Sequence, residues 1–279
     1  MIILGIDVET DHYDPQIARV TEVGLALFDT DEHQFISMES WLVKEVGAAP
    51  LSDDIIEITG ITQKMVDVYG ESSEFVISRV LNYVSRADVV LAHNGNLFDR
   101  PLMRAWMGRY LTDEQKLSLR PKHWIDSLTD LDYPKFCSHR SMTYLQGFYG
   151  IMNPFKHRAL TDILTTMTII DKNFDWADVL KISHSRTIRF IAQVDYQDRE
   201  LAKMQKFKWD APRKMWHFDA KEILAARKLM AANFNFSFGA VYLGENNVHE
   251  CIGESVYKCL CDRCEKQREL QRRELYART

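Results

Sequence analysis

The chain has little of what interrupts or staples a fold. Its 279 residues include only 12 glycines and 7 prolines, which excludes a collagen-like or low-complexity polymer. The five cysteines are odd in number, and all but Cys137 fall within the last 30 positions, so no disulfide framework spans the chain. No run of about 20 apolar residues is present, which excludes a membrane-spanning helix. The opening segment, Met1-Ile2-Ile3-Leu4-Gly5-Ile6, is too short for a secretion signal, has no basic residues before it and meets two acids at once. A reducing, cytoplasmic location is therefore expected, without a membrane partner. Excess positive charge is missing as well. A formal net charge of −5 argues against gripping polyanions by bulk electrostatics.

What is present is an ordinary globular composition, 46% hydrophobic and 27% charged, able to bury a core unaided. The charge is uneven. Residues 200–279 carry 15 Lys or Arg against 11 Asp or Glu, while residues 1–199 carry 20 against 29. An acidic body that handles polyphosphate needs cations between the two, and a basic tail can hold phosphates directly.

Three β-type runs, Ile2–Asp7, Val20–Phe28 and Phe35–Val43, are separated by turn-rich segments and predict an antiparallel meander. Helical signals follow over Pro50–Thr62 (Ser52 as cap, Gly60 as stop), Glu74–Val84, Leu97–Tyr110, Ser141–Tyr149 and Ala159–Ile170. Short strands are expected at Val89–Ala92 and His123–Asp126. The pattern predicts an α/β fold, a mixed sheet flanked by helices, over residues 1–175. Residues 176–279 read as a small α+β carboxy-terminal extension. It holds a hairpin within Phe207–Phe218, a helix over Ala220–Ala232, a cysteine cluster and a charged helix from Cys264 to Thr279.

Three polar elements sit where these strands and helices meet. Asp7-Val8-Glu9 closes the first strand, and residues i and i+2 of a strand share a face. Two carboxylates so placed repel unless a cation lies between them. His93-Asn94-Gly95-Asn96-Leu97-Phe98-Asp99 leads from a buried strand into a helix, where open α/β sheets place their sites; the plainer role for Asp99 is to charge the helix start. His157-Arg158-Ala159-Leu160-Thr161-Asp162 opens the last helix of this region. A five-residue separation puts two side chains on different helical faces, so His157 is expected in the entering loop.

In this order, Ile6-Asp7-Val8-Glu9-Thr10, His93–Asp99 and His157–Asp162 resemble the DEDDh (DnaQ-like) exonucleases, whose domain is ribonuclease-H-like. Thr21-Glu22-Val23-Gly24, Ile58-Thr59-Gly60-Ile61-Thr62 and the Asp126 strand add to the resemblance, which covers about the first 175 residues. It implies a two-metal-ion 3′→5′ exonuclease that releases nucleoside 5′-monophosphates. Asp7, Glu9, Asp99 and Asp162 would hold two Mg²⁺ or Mn²⁺, oxygen-rich sites suiting both ions. His157 would deprotonate the attacking water, a role that neutral imidazole suits. Thr10, Asn94 and Phe98 would meet the substrate, with Leu97 an alternative to Phe98 and Phe98 equally a core residue. Arg158 stands where the tyrosine branch carries its base, which puts the chain in the histidine branch.

The implied partner is a nucleic acid with a free 3′ end, single-stranded DNA first. RNA, as for ribonuclease T and oligoribonuclease, is the alternative, and a non-catalytic nucleic-acid-binding scaffold is a third. Proofreading beside a polymerase, or work with a replication or repair partner, would act in trans. In the extension, Lys206-Phe207-Lys208-Trp209 and Arg213-Lys214-Met215-Trp216 interleave basic and aromatic residues. They either stack unpaired bases or close a small core with Trp209 opposite Trp216. Cys259, Cys261 and Cys264, with Cys251 or His249 as the fourth ligand, form a candidate structural zinc site; reduced thiols are the alternative.

Overall fold

In the computed structural model, apolar alternation along the first strand sets up two layers of core. β1 (Ile2–Thr10) buries Leu4, Ile6 and Val8 on one face, while Ile3, Gly5, Asp7 and Glu9 share the other. β2 (Val20–Asp29) runs antiparallel to it, with Phe28 opposite Ile3, Ala26 opposite Gly5, Gly24 opposite Asp7 and Glu22 opposite Glu9. That shared row begins apolar and ends acidic, so the sheet carries its core at one end and its charges at the other. The structure describes residues 1–45, 47–118, 122–229, 236–243 and 249–250. They fall into two compact units, Met1–Ser183 and a second beginning at His184.

The first unit is a mixed sheet of six strands in the order β4-β3-β2-β1-β5-β6. β3 (Gln34–Lys44) continues the antiparallel meander, and the two-residue β4 (Glu71–Ser72) pairs parallel with its end. β5 (Val89–Ala92) and β6 (His123–Asp126) add in parallel beside β1, within the ranges their sequence predicts. Parallel addition needs crossovers, which helices supply. α1 (Asp53–Thr59) is capped by Ser52 and closed by Gly60 at φ 69°. α2 (Gln63–Tyr69), capped by Thr62, was not expected; the helical signal read from the sequence ended at Thr62.

α3 (Ser73–Arg86) and α4 (Asp99–Tyr110) cover the face bearing Leu4, Ile6 and Val8, with Val76, Val80, Leu102 and Trp106 in one buried cluster. α5 (Asp113–Ser118) follows. α6 (Met142–Tyr149), α7 (Ala159–Asn173) and α8 (Trp176–His184) bring Leu145, Ile163, Met167, Trp176 and Val179 into the cluster on the other face. The first unit therefore extends past residue 175, because α8 supplies core side chains to it. No helix among the described residues is long and apolar enough to cross a membrane.

The second unit is an antiparallel sheet in the order β11-β10-β7-β9-β8, with helices α9 (Arg199–Met204) and α10 (Glu222–Leu229). β7 (Thr187–Gln193) is its central strand, between β9 (Met215–Lys221) and β10 (Ser237–Leu243). The expected hairpin is present as β8 (Lys208–Asp210) and β9, and it forms the edge of this larger sheet. Phe190, Phe207, Ala225 and Val241 fill the core. β11 is the pair His249–Glu250. The helix expected to Ala232 is described to Leu229. Cys251, Cys259, Cys261, Cys264 and the charged segment after them lie outside the described residues.

Candidate active site

The acidic end of the β1–β2 row receives side chains from three other places. α7 crosses it closely because Gly24 has no side chain. A Cβ there would lie 2.3 Å from the Leu160 backbone nitrogen and 2.4 Å from the Ala159 carbonyl carbon. That approach carries the start of α7 onto the strands and delivers Asp162. His157 precedes the helix in left-handed backbone, φ 56°, and its own N–H donates to Asp162 Oδ2 at 3.1 Å. Asn153 Nδ2 donates to Asp162 Oδ1 at 2.6 Å. Held in this way, ligand atoms of Glu9, His157 and Asp162 lie within 4.8 Å of one another.

Asp99 reaches the same end from the first residue of α4. The helix starts there, not at Leu97, because the N–H groups of Leu97 and Phe98 turn back to the Asn94 carbonyl. Asn94 is itself left-handed, φ 63°. Asp126, at the end of β6, accepts hydrogen bonds from the backbone N–H groups of Asn94 (2.9 Å) and Asn96 (3.1 Å), which fixes this loop. His93 is partly buried with Nδ1 2.8 Å from Ser127 Oγ, and desolvation pushes its imidazole down to about 4.

The electrostatics are one-sided. Burial, then Asp99, Glu9, Asp162 and Glu22, pushes the Asp7 carboxyl well above the usual range. Glu9 is raised to about 8 by burial first and then by Asp162 and Glu22, with Arg158 acting against them. Asp99 is raised to about 7 by burial and by Asp126, partly offset by the Val8 backbone. Asp162 is raised by burial despite the donors it receives. The nearby cation, Arg158, is already committed. Its guanidinium donates to both oxygens of Glu22 (Nε to Oε2 3.0 Å, Nη2 to Oε1 2.7 Å). A cluster of oxygen ligands and one imidazole, short of neutralising charge, fits divalent cations.

Glu22 had no assigned role in the sequence reading. It is fully buried and also accepts from Ser40 Oγ (2.8 Å) and the Ala159 N–H (3.1 Å). It ties the start of α7 to β2 through side chain and backbone together. Its signal in the sequence is an acid inside the otherwise buried run Val20–Phe28. Asn153 left no such signal, since a residue before a proline reads as a turn.

The residues expected at the substrate divide. The Thr10 hydroxyl is buried and donates to the His12 carbonyl at 2.7 Å. Phe98 packs partly buried on the core, whereas neighbouring Leu97 is 74% exposed. Tyr13 and Ile17 on the β1–β2 loop, and Met152 and Phe155 on the loop entering α7, are exposed as well.

The sequence profile of the exonuclease family RNase T matches residues 4–170. This chain belongs to the DEDDh exonucleases. Its fold is shared with exonuclease I (TM-score 0.56, 17% identity, covering 68% of this chain and 48% of that one). E. coli exonuclease I in complex with a dT13 oligonucleotide gives a TM-score of 0.54 at 17% identity, over 68% of this chain and 48% of that chain. The ExoI/SSB-Ct complex gives 0.54 at 16%, over 72% and 50%. The chain therefore spans about half the length of these proteins, and at such identities the likeness is one of fold. No curated protein matches it by sequence. The family match covers the three acidic elements of the site, and the fold brings them to one end of the sheet.

Proposed function

We propose that this exonuclease removes nucleoside 5′-monophosphates from the 3′ end of an unpaired DNA strand. The observation that carries the proposal is the meeting of Glu9, His157 and Asp162 within 4.8 Å, beside Asp7, whose carboxyl is pushed up by burial and by Asp99 and Glu9, and Asp99, pushed up by burial and by Asp126. Asp7, Glu9, Asp99 and Asp162 would hold two Mg²⁺ or Mn²⁺. When bound, such ions stabilise charge on the attacking and leaving oxygens of an in-line phosphoryl displacement.

The chain's own groups then divide the work. His157 accepts the proton of the attacking water at its imidazole, while its backbone N–H keeps Asp162 oriented. Asn153 holds the other Asp162 oxygen, so that carboxylate keeps one rotamer. Asp126 fixes the loop from which Asp99 projects. The exposed apolar side chains Leu97 and Phe155, on the loops that carry Asp99 and His157, offer surfaces to unpaired bases. A single DNA strand as substrate is supported by the dT13 oligonucleotide in the similar exonuclease I structure.

The test is digestion of 3′- and 5′-labelled DNA and RNA oligonucleotides with Mg²⁺, Mn²⁺ or EDTA, alongside Asp7→Asn. Stepwise loss from the 3′ end of DNA is expected, abolished by EDTA and slowed at least about 100-fold in Asp7→Asn. Digestion that resists EDTA, or an unimpaired Asp7→Asn enzyme, overturns the metal-dependent reading. Faster loss from RNA reassigns the substrate.

A further inference from the structure

The second unit leaves an indole half in solvent at the edge of its sheet. β8 is the terminal strand of that sheet. Trp209 on β8 stands opposite Trp216 on β9, with ring centroids 5.6 Å apart and planes tilted by 53°. Strand alternation puts both rings on the side of Phe218, and Trp216 packs against the core there. Trp209 extends beyond that packing and stays 50% exposed.

Lys206 lies just before β8 and Lys214 just before β9, while Lys208 precedes Trp209 on β8 and projects from the opposite face; all three are exposed. Their neighbours Lys203 and Arg213 are paired with Glu200 and Asp210; these three form no ion pair among the described residues. Lys206 and Lys214 also occupy left-handed backbone, φ 63° and 50°, a conformation that Gly or Asn takes more readily. Edge lysines do guard a sheet against pairing with another chain. That purpose does not call for a half-exposed indole beside them, which adds an apolar surface to the same edge.

An exposed aromatic face on a hairpin that also carries unpaired lysines matches a ligand that repeats flat π-systems and negative charges. That ligand is an unpaired nucleic-acid strand. An acidic peptide would answer the charge but not the ring. We infer that the β8–β9 hairpin is a second binding surface for single-stranded nucleic acid, with a base stacked on Trp209 and phosphates held by Lys206 and Lys214. The choice of occupant rests on the nuclease reading of the first unit. A strand held here is tethered to the chain that degrades it, so long strands gain affinity that short ones lack.

The experiment is binding of fluorescein-labelled oligo-dT and oligo-U, long and tetranucleotide, to the full chain by anisotropy in EDTA, where hydrolysis plays no part. Long strands are expected to bind more tightly than tetranucleotides. Trp209→Leu keeps an apolar side chain but loses the stacking face, and should weaken long oligo-dT at least about fivefold. Trp209→Phe should restore most of that loss. Replacing Lys206 and Lys214 together by Gln should lower the slope of log affinity against log salt by about 1.4. These lysines are exposed, so the double variant decides the matter if Trp209→Leu misfolds. Unchanged affinity and salt slope, or equal competition by polyglutamate, overturns the surface and leaves the nuclease reading to its own assay. Binding that depends on Trp209 in a chain that digests no oligonucleotide overturns only the nuclease reading.

Discussion

At the scale of the residue, the site depends on groups that never need to touch substrate. Glu22 is a buried carboxylate whose partners are Arg158, Ser40 and the Ala159 N–H. Removing the guanidinium leaves the carboxylate without its cation. Arg158→Ala should therefore destabilise the protein by about 2 kcal/mol, below the ~3–5 kcal/mol of a fully buried pair because Arg158 is partly exposed. Urea unfolding measures it, and a change below about 0.5 kcal/mol would show that the pair is a surface contact in effect. Asn153→Ala is a different case. It frees one Asp162 oxygen in a carboxylate that burial already raises, so turnover should fall about tenfold or more with little effect on the melting temperature. Wild-type turnover in that variant would contradict a positioning role.

At the scale of the element, the decisive contact is α7 against β1 and β2. Strand positions could be read from alternation, and β5 and β6 agree with their expected ranges to the residue. The tight seat of α7 could not, since a glycine in a strand has several ordinary explanations. Gly24→Ala should push the helix away from Glu9 and destabilise by about 1–3 kcal/mol, with activity lost alongside. Gly108, exposed on α4 with nothing within 4 Å of an added Cβ, is the control. Gly108→Ala should stabilise by about 0.4–1 kcal/mol through the unfolded chain and leave activity intact. Equal melting temperatures for the two variants would remove the steric argument.

At the scale of the whole molecule, the carboxylates make the stability of the metal-free protein depend on pH. Glu9 rises from an ordinary 4.5 to about 8, so the folded chain keeps a proton that the unfolded chain has already lost. The resulting stability is fully present below about pH 4.5 and is lost as pH climbs through 8. His93, lowered from 6.5 to about 4 by burial, acts in the other direction and costs stability as pH falls through that range. Melting temperatures in EDTA should thus decline from pH 6.5 to pH 8.5. Mg²⁺ should reverse the decline, contributing about 2.7 kcal/mol at a hundred times its Kd. A melting temperature that is flat with pH and indifferent to Mg²⁺ would count against the cluster as a cation site.

By itself the sequence determined the β1–β2–β3 meander, the helix caps at Ser52 and Gly60, and the three segments that carry the acids and His157. Those are local matters, set by alternation, by caps and by the order of residue types. Tertiary structure decided which of these side chains meet. Asp7 with Glu9, Asp99, and Asp162 come from three segments far apart in the chain, and whether they converge depends on the antiparallel register that puts Glu22 opposite Glu9 and on the close seat of α7. It also decided that Phe98 packs inward while Leu97 faces out, that Arg158 is committed to Glu22, and that Trp209 sits at the edge of a sheet. Distance across a fold and competition for a shared partner are properties of the packed chain, and neighbours in sequence do not carry them.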